Sequence, residues 1–141
     1  MLGEGGLGYF AGVAITRQRQ ELGRRGENEA AQFLSGRGYV VIARNYRSPH
    51  GEIDLIVQDQ HDRRMIVFVE VRTNSAPQFG DPLASVNARK QRQVAKTAQY
   101  YLVRHGLENH AARFDVIGIR WESGQARISH IQGAFELPRS W

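Results

Sequence analysis

Two short runs constrain the fold of this chain more than any other feature. In Glu52–Gln58, Ile53, Leu55 and Val57 alternate onto one face of a strand, and Glu52, Asp54 and Ile56 onto the other. In Met65–Arg72, Val67, Val69 and Val71 share one face, and Ile66, Phe68, Glu70 and Arg72 the other. Apolar side chains on both faces indicate strands covered on both sides. Asp54 and Glu70 therefore fall on faces that should be buried. The short link Asp59–Arg64 makes the two strands antiparallel neighbours. Asp54 and Glu70 can then lie opposite one another, with β-carbons about 5 Å apart. Two carboxylates that close repel, so one is protonated or a cation sits between them.

The rest of the chain supplies cover for these strands. Thr16 is placed to cap a helix running to Ser35 and ended by Gly36–Gly38, although Gly23 and Gly26 allow a later start near Gly26. Tyr39–Asn45 reads as a strand and Tyr46–Gly51, with Pro49, as a turn. Asn74–Asp81 reads as an exposed loop, and Pro82 suits the first turn of a helix ended by Gly106. Phe114–Trp121 and Ala126–Ile131 are two further strands, joined by a turn at Ser123-Gly124. The expected fold class is α/β, with a central mixed β-sheet of about five strands, two main helices and the order α-β-β-β-α-β-β. The helix after the third strand fits a crossover. The 141 residues suit one domain. We expect 1–15 as a flexible leader without the basic start of a signal peptide, 16–135 as the domain, and 136–141 as a loose tail.

Both helices also carry a charge on the inner stripe. Ala30, Ala31 and Leu34 follow Glu27 at helical spacing, and Lys90 lies between Val86 and Val94 on a stripe continuing through Ala98. A lone buried charge costs several kcal/mol unless it is paired or bound to metal. Two readings account for this. One is a salt-bridge cluster joining Glu70 to Arg72 and Lys90 to Glu27 or Asp54. The other is a functional site, because local rules fail at functional places. The ion-pair reading suits any one of these residues. The coincidence of all of them favours a site.

Hard oxygen ligands at Asp54 and Glu70, with Glu27 nearby, suit Mg²⁺ or Mn²⁺, as one or two ions. Arg72 or Lys90 beside them could stabilise charge on a phosphoryl transition state. The net charge of +5 and the pI of about 10.1 point to a polyanionic partner, a nucleic acid and in the first instance DNA. Arg24, Arg25, Arg44 and Arg47 are the candidate nucleic-acid-binding residues. Tyr46 and Phe79, expected in loops, could stack on bases or pack locally. The chain has no cysteine, which excludes thiolate chemistry and disulfides. It has no P-loop, no Gly-x-Ser-x-Gly, no His-Glu-x-x-His and no apolar run of membrane-spanning length. Asp115 could be a further acidic member, or a buried acid paired with an arginine such as Arg44. His50 and His61 are expected in solvent, and His105 and His110 at a helix end.

Several ordered motifs carry a family resemblance. They are Gly-Glu-Ile-Asp-Leu-Ile at Gly51–Ile56 and Phe-Val-Glu-Val-Arg at Phe68–Arg72. Gly26-Glu27, Gly38-Tyr39, Arg44-Asn45-Tyr46-Arg47, Phe79-Gly80-Asp81-Pro82, Lys90 and Arg113-Phe114-Asp115-Val116 accompany them. Over residues 20 to 120 the chain resembles the uncharacterised protein family 0102, also called YraN-like. That family is similar to the restriction-endonuclease-like superfamily, in particular to archaeal Holliday-junction resolvases. The resemblance implies a restriction-endonuclease-like core, with catalytic roles on Glu27, Asp54, Glu70 and Arg72. It also implies Mg²⁺ held by Asp54, Glu70 and the Val71 carbonyl. It implies a metal-dependent endonuclease acting on DNA, including branched or repair-intermediate DNA; the absence of cysteine suits a reducing compartment, and a cytoplasmic protein is expected. A homodimer is compatible with the resemblance. Position 72 departs from the superfamily's usual lysine. Arginine keeps the charge but cannot serve as a base, so a non-catalytic nucleic-acid-binding module stays open as the alternative.

Overall fold

The computed structural model describes residues 3–62, 64–74 and 81–136. Helix α1 (Gly3–Ser35) leads into strands β1 (Tyr39–Ser48), β2 (Gly51–Asp59) and β3 (Ile66–Asn74). A short 3-10 helix at Pro82–Ser85 precedes helix α2 (Ala88–Arg104), followed by β4 (Ala112–Glu122) and β5 (Gln125–Phe135). The strands lie in the sheet in chain order, β1-β2-β3-β4-β5. Every neighbouring pair is antiparallel except β3 and β4, which α2 connects as a parallel crossover. This is the mixed α/β sheet expected from the sequence.

The helices cover opposite faces. Ala30, Ala31 and Leu34 of α1 pack on Leu55, Val57, Val67, Val69, Ile117 and Ile119. Val94, Ala95, Ala98, Tyr101 and Leu102 of α2 pack on Ile56, Phe68 and Phe114. Ile53 departs from the expected alternation. It joins the α2 cluster rather than the face of Leu55 and Val57. This happens where β2 leaves its ladder with β3, whose last pair on that side is Leu55 with Val69. Close approach of α1 to β3 depends on Gly26, where a β-carbon would collide with the Thr73 methyl.

Element ends differ from the expected ones in three places. α1 begins at Gly3, so part of the stretch expected as a flexible leader continues the helix. Isolated glycines weaken a helix by about 1 kcal/mol each but do not end it. β1 continues to Ser48 because Arg44 to Ser48 still pair with β2, leaving only Pro49 and His50 for the turn. Pro82 does open a helical segment, but a separate one. α2 starts at Ala88 with Asn87 as its cap, whose side chain accepts from the Lys90 N–H at 2.9 Å. Val86 is buried yet lies before α2 rather than on its stripe. Most of the expected loop after Asn74, with Phe79, and the tail beyond Glu136 lie outside the described residues. Among the described residues, no helix is long and apolar enough to cross a membrane.

Candidate functional site

β2 and β3 part beyond Leu55 and Val69, one step before Asp54 would pair with Glu70. At the parting, the Val71 N–H donates to Asp54 Oδ2 at 2.8 Å, so a side chain takes the place of a ladder bond. The N–H and C=O of one strand residue leave on the same side, so the Val71 carbonyl also faces this gap. Glu70 is only 2% exposed and faces α2. Its Oε2 lies 3.8 Å from an Arg72 guanidinium nitrogen and 3.7 Å from Lys90 Nζ. Both separations are too long for hydrogen bonds. Glu70 Oε1 and Arg72 Nε are buried without hydrogen-bond partners among the described residues.

Burial, then the nearby Asp54 charge, pushes the Glu70 carboxyl up to about 8 from 4.5. Lys90 and Arg72 pull the other way without compensating. Burial also raises Asp54, opposed by the Val71 N–H and then by the charges of Lys90 and Arg72. Burial is the main cause in both cases, and it disfavours the charged carboxylates despite the two cations beside them. Such a pair of buried carboxylates is chemically suited to a divalent cation.

Asp54, Glu70, Arg72 and Lys90 come together as the strand and helix periodicities suggested. Lys90 gets there from the first turn of α2, positioned by the Asn87 cap. Glu27 lies at the edge of the group. Its Oε2 accepts from Asn45 Nδ2 at 3.1 Å, burial raises its pKa, and Asp54 adds a smaller upward push. Among the described residues, no three acidic or histidine side chains converge into one ligand set. The donors that fit a hard cation are thus two carboxylates and the Val71 carbonyl, with Glu27 outside them. Sequence reasoning missed Asn45 as the residue that holds Glu27. An asparagine at the end of a β-branched run was the available signal. Within β1, Asn45 takes a φ of 51°, which asparagine tolerates better than most residues.

The candidate nucleic-acid-binding arginines line α1 and β1. Arg24 and Arg25 are exposed, and Arg25 lies 4.6 Å over the Trp121 ring. Arg44 donates to Asn28 Oδ1 at 2.7 Å, and Arg47 sits 3.5 Å from Glu52. Tyr46 packs edge-on against Tyr101 at 5.2 Å, which makes it a packing residue rather than a loop aromatic. Asp115 is fully buried on the α1 face. It accepts from Arg113, from His130 and from the Gly133 N–H, not from Arg44. His105 bonds the Tyr101 carbonyl at the end of α2, as expected for a capping residue.

Compared with known proteins, residues 26–119 match the uncharacterised protein family UPF0102. The chain belongs to this family. A UPF0102 protein of Syntrophotalea carbinolica is 41% identical over 123 residues, covering 87% of this chain and 98% of that protein. A UPF0102 protein of Moorella thermoacetica is 40% identical over 124 residues, covering 86% of this chain and all of that protein. One from Symbiobacterium thermophilum is 44% identical over 117 residues, covering 82% and 97%. Among solved structures, Pyrococcus furiosus SfsA in complex with Ca²⁺ is similar at a TM-score of 0.39 and 12% identity, covering 77% of this chain and 63% of that one. The UPF0102 match contains Glu27, Asp54, Glu70, Arg72 and Lys90, whereas Arg24 and Arg25 lie just outside it.

Proposed function

We propose that this UPF0102 protein is a metal-dependent nuclease that hydrolyses phosphodiester bonds of DNA. The observation that carries the reading is the buried Glu70 carboxylate. Its Oε1 has no partner among the described residues, and it stands beside Asp54 where β2 and β3 part. Asp54, Glu70 and the Val71 carbonyl would hold Mg²⁺ or Mn²⁺. When bound, such an ion polarises a phosphoryl oxygen and lowers the pKa of a water. Lys90 and Arg72, on either side of Glu70, would neutralise the charge that builds on the phosphoryl group. Arg72 stays protonated throughout, so its role is electrostatic and not that of a base. Arg24, Arg25, Arg44 and Arg47 would hold flanking phosphates.

The test is incubation with Mg²⁺ or Mn²⁺ and linear, flap and four-way DNAs. Cleavage is expected, and Glu70→Ala should abolish it. Absence of cleavage with every substrate, or cleavage unchanged in Glu70→Ala, overturns the proposal. Arg72 itself favours a second reading, a nucleic-acid-binding module without turnover. That reading expects salt-dependent binding of intact DNA or RNA and no product.

A further inference from the structure

A polar cleft opens on the α1 side of the sheet, where β2 ends and β1 begins. Its volume is about 660 Å³, within the range that takes a small organic ligand. Three segments far apart in sequence each bring a cationic or protonatable side chain to its wall. Arg37 comes from the turn after α1, His61 from the β2–β3 turn and His130 from β5.

Each of the three is held in place by a neighbour. The Arg37 guanidinium lies 4.3 Å over the Phe33 ring. His61 packs directly on Gly38, where a β-carbon would collide with the imidazole, and its backbone N–H donates to Asp59 Oδ1 at 2.9 Å. Gly38 has a φ of 89°, which most residues avoid, so the bare position and the backbone turn serve the same packing. His130 Nε2 lies 2.7 Å from Asp115 Oδ2, beneath the cleft floor. That bond occupies Nε2 and fixes the ring, so Nδ1 can meet a phosphate as a donor only in the doubly protonated ring.

Asp115 and Asp59, the acids packed against the cleft, already have cationic partners. Asp115 accepts two bonds from Arg113, at 2.8 and 3.0 Å, besides the one from His130. Asp59 lies 3.7 Å from the same guanidinium. What remains at the cleft wall for a ligand is the Arg37 guanidinium, with the His61 and His130 rings beside it. A guanidinium fork with two oriented imidazoles matches a tetrahedral dianion better than a planar or neutral group.

We infer that this cleft binds a phosphomonoester of about nucleotide size, through Arg37, His61 and His130. The phosphate could come from a free mononucleotide or from the 5′-phosphorylated end of a nucleic acid. The site is separate from the Asp54–Glu70 centre, and the inference does not depend on the nuclease reading.

The experiment follows the imidazole ring resonances of His61 and His130 by NMR in the full chain without metal. The probes are adenosine monophosphate, adenosine, and one oligonucleotide with either a 5′-phosphate or a 5′-hydroxyl. A saturable shift with the monophosphate, and none with adenosine, is expected for a free nucleotide. A shift with only the 5′-phosphorylated oligonucleotide supports the nucleic-acid end as the source. Arg37→Ala and His61→Gln, both at exposed positions, should each weaken binding by about tenfold or more, the scale of one charge-assisted bond. Glu70→Gln should leave binding unchanged while removing any cleavage, which keeps the two sites distinguishable. Equal binding of adenosine and its monophosphate, no shift with any phosphorylated probe, or full affinity in folded Arg37→Ala overturns the inference.

Discussion

Glu70 is held in a place that its charge makes unfavourable. Burial and Asp54 raise its carboxyl to about 8, against 4.5 in an unfolded chain. The folded protein thus keeps a proton that the unfolded chain releases at lower pH. The stability tied to that proton is complete below about pH 4.5 and is lost as pH rises through about 8. Metal-free melting scans should show Tm falling over this window. Glu70→Gln should flatten the fall and raise Tm at the alkaline end by several degrees, at about 2–4 °C per kcal/mol. Adding Mg²⁺ at the alkaline end should raise the wild-type Tm and leave that of Glu70→Gln unchanged. An unchanged wild-type Tm would count against the proposed metal binding at Asp54 and Glu70. Asp115 has the opposite sign. Although burial opposes it, the bonds from His130 and Arg113 hold its carboxyl below the ordinary range. Its contribution is present at neutral pH and is lost as pH falls through the acidic range. Asp115→Asn should cost about 3 kcal/mol at neutral pH in denaturant titrations, because Arg113 is left short of its buried partner. Asp54 and Glu70 were legible because a period of two decides which residues share a face. The partner of Asp115 was not. Pairing with His130 depends on the β4–β5 register and its irregularity between Phe114 and Val116.

At the scale of elements, the site depends on how closely α1 and α2 approach the sheet. Gly26 lets α1 descend onto Thr73 of β3, immediately before Glu27 in the chain. Gly26→Ala should cost about 1–3 kcal/mol of unfolding free energy through overpacking. Equal stability of Gly26→Ala and the wild type in urea titrations would refute this. The Asn87 cap sets the start of α2 and thus the height of Lys90 over Glu70. The capping signal was present in the sequence. Pro82 masked it, because a proline at a first helical turn is an equally good start signal and here opens the short 3-10 helix instead.

For the whole molecule, the basic balance is the main lever on partners. A net charge of +5 makes association with DNA salt-sensitive if flanking phosphates are held by arginines. Arg24→Ala with Arg25→Ala should weaken DNA binding about equally across sequences. It should also reduce the slope of log affinity against log salt by roughly one for each phosphate no longer held. An unchanged slope in fluorescence-anisotropy titrations would remove α1 from the interface. The cleft at Arg37 and His61 lies on the α1 face of the sheet, whereas Glu70 faces α2. Changes at Arg37 or His61 should therefore add independently to changes at Glu70.

Periodicity with turn and cap signals determined the α/β class, the order of the elements, the two covered sheet faces and the placing of Asp54, Glu70, Arg72 and Lys90 on inward faces. These follow from local rules about which side chains share a face. Only the tertiary structure decided that β2 and β3 part beside Asp54, that the Val71 N–H turns to that carboxylate, and that Asn45 holds Glu27 at the edge. It likewise assembled Arg37, His61 and His130 around one cleft. Strand register, bulges and loop returns bring those groups together across long stretches of chain. No spacing within any one segment encodes that meeting.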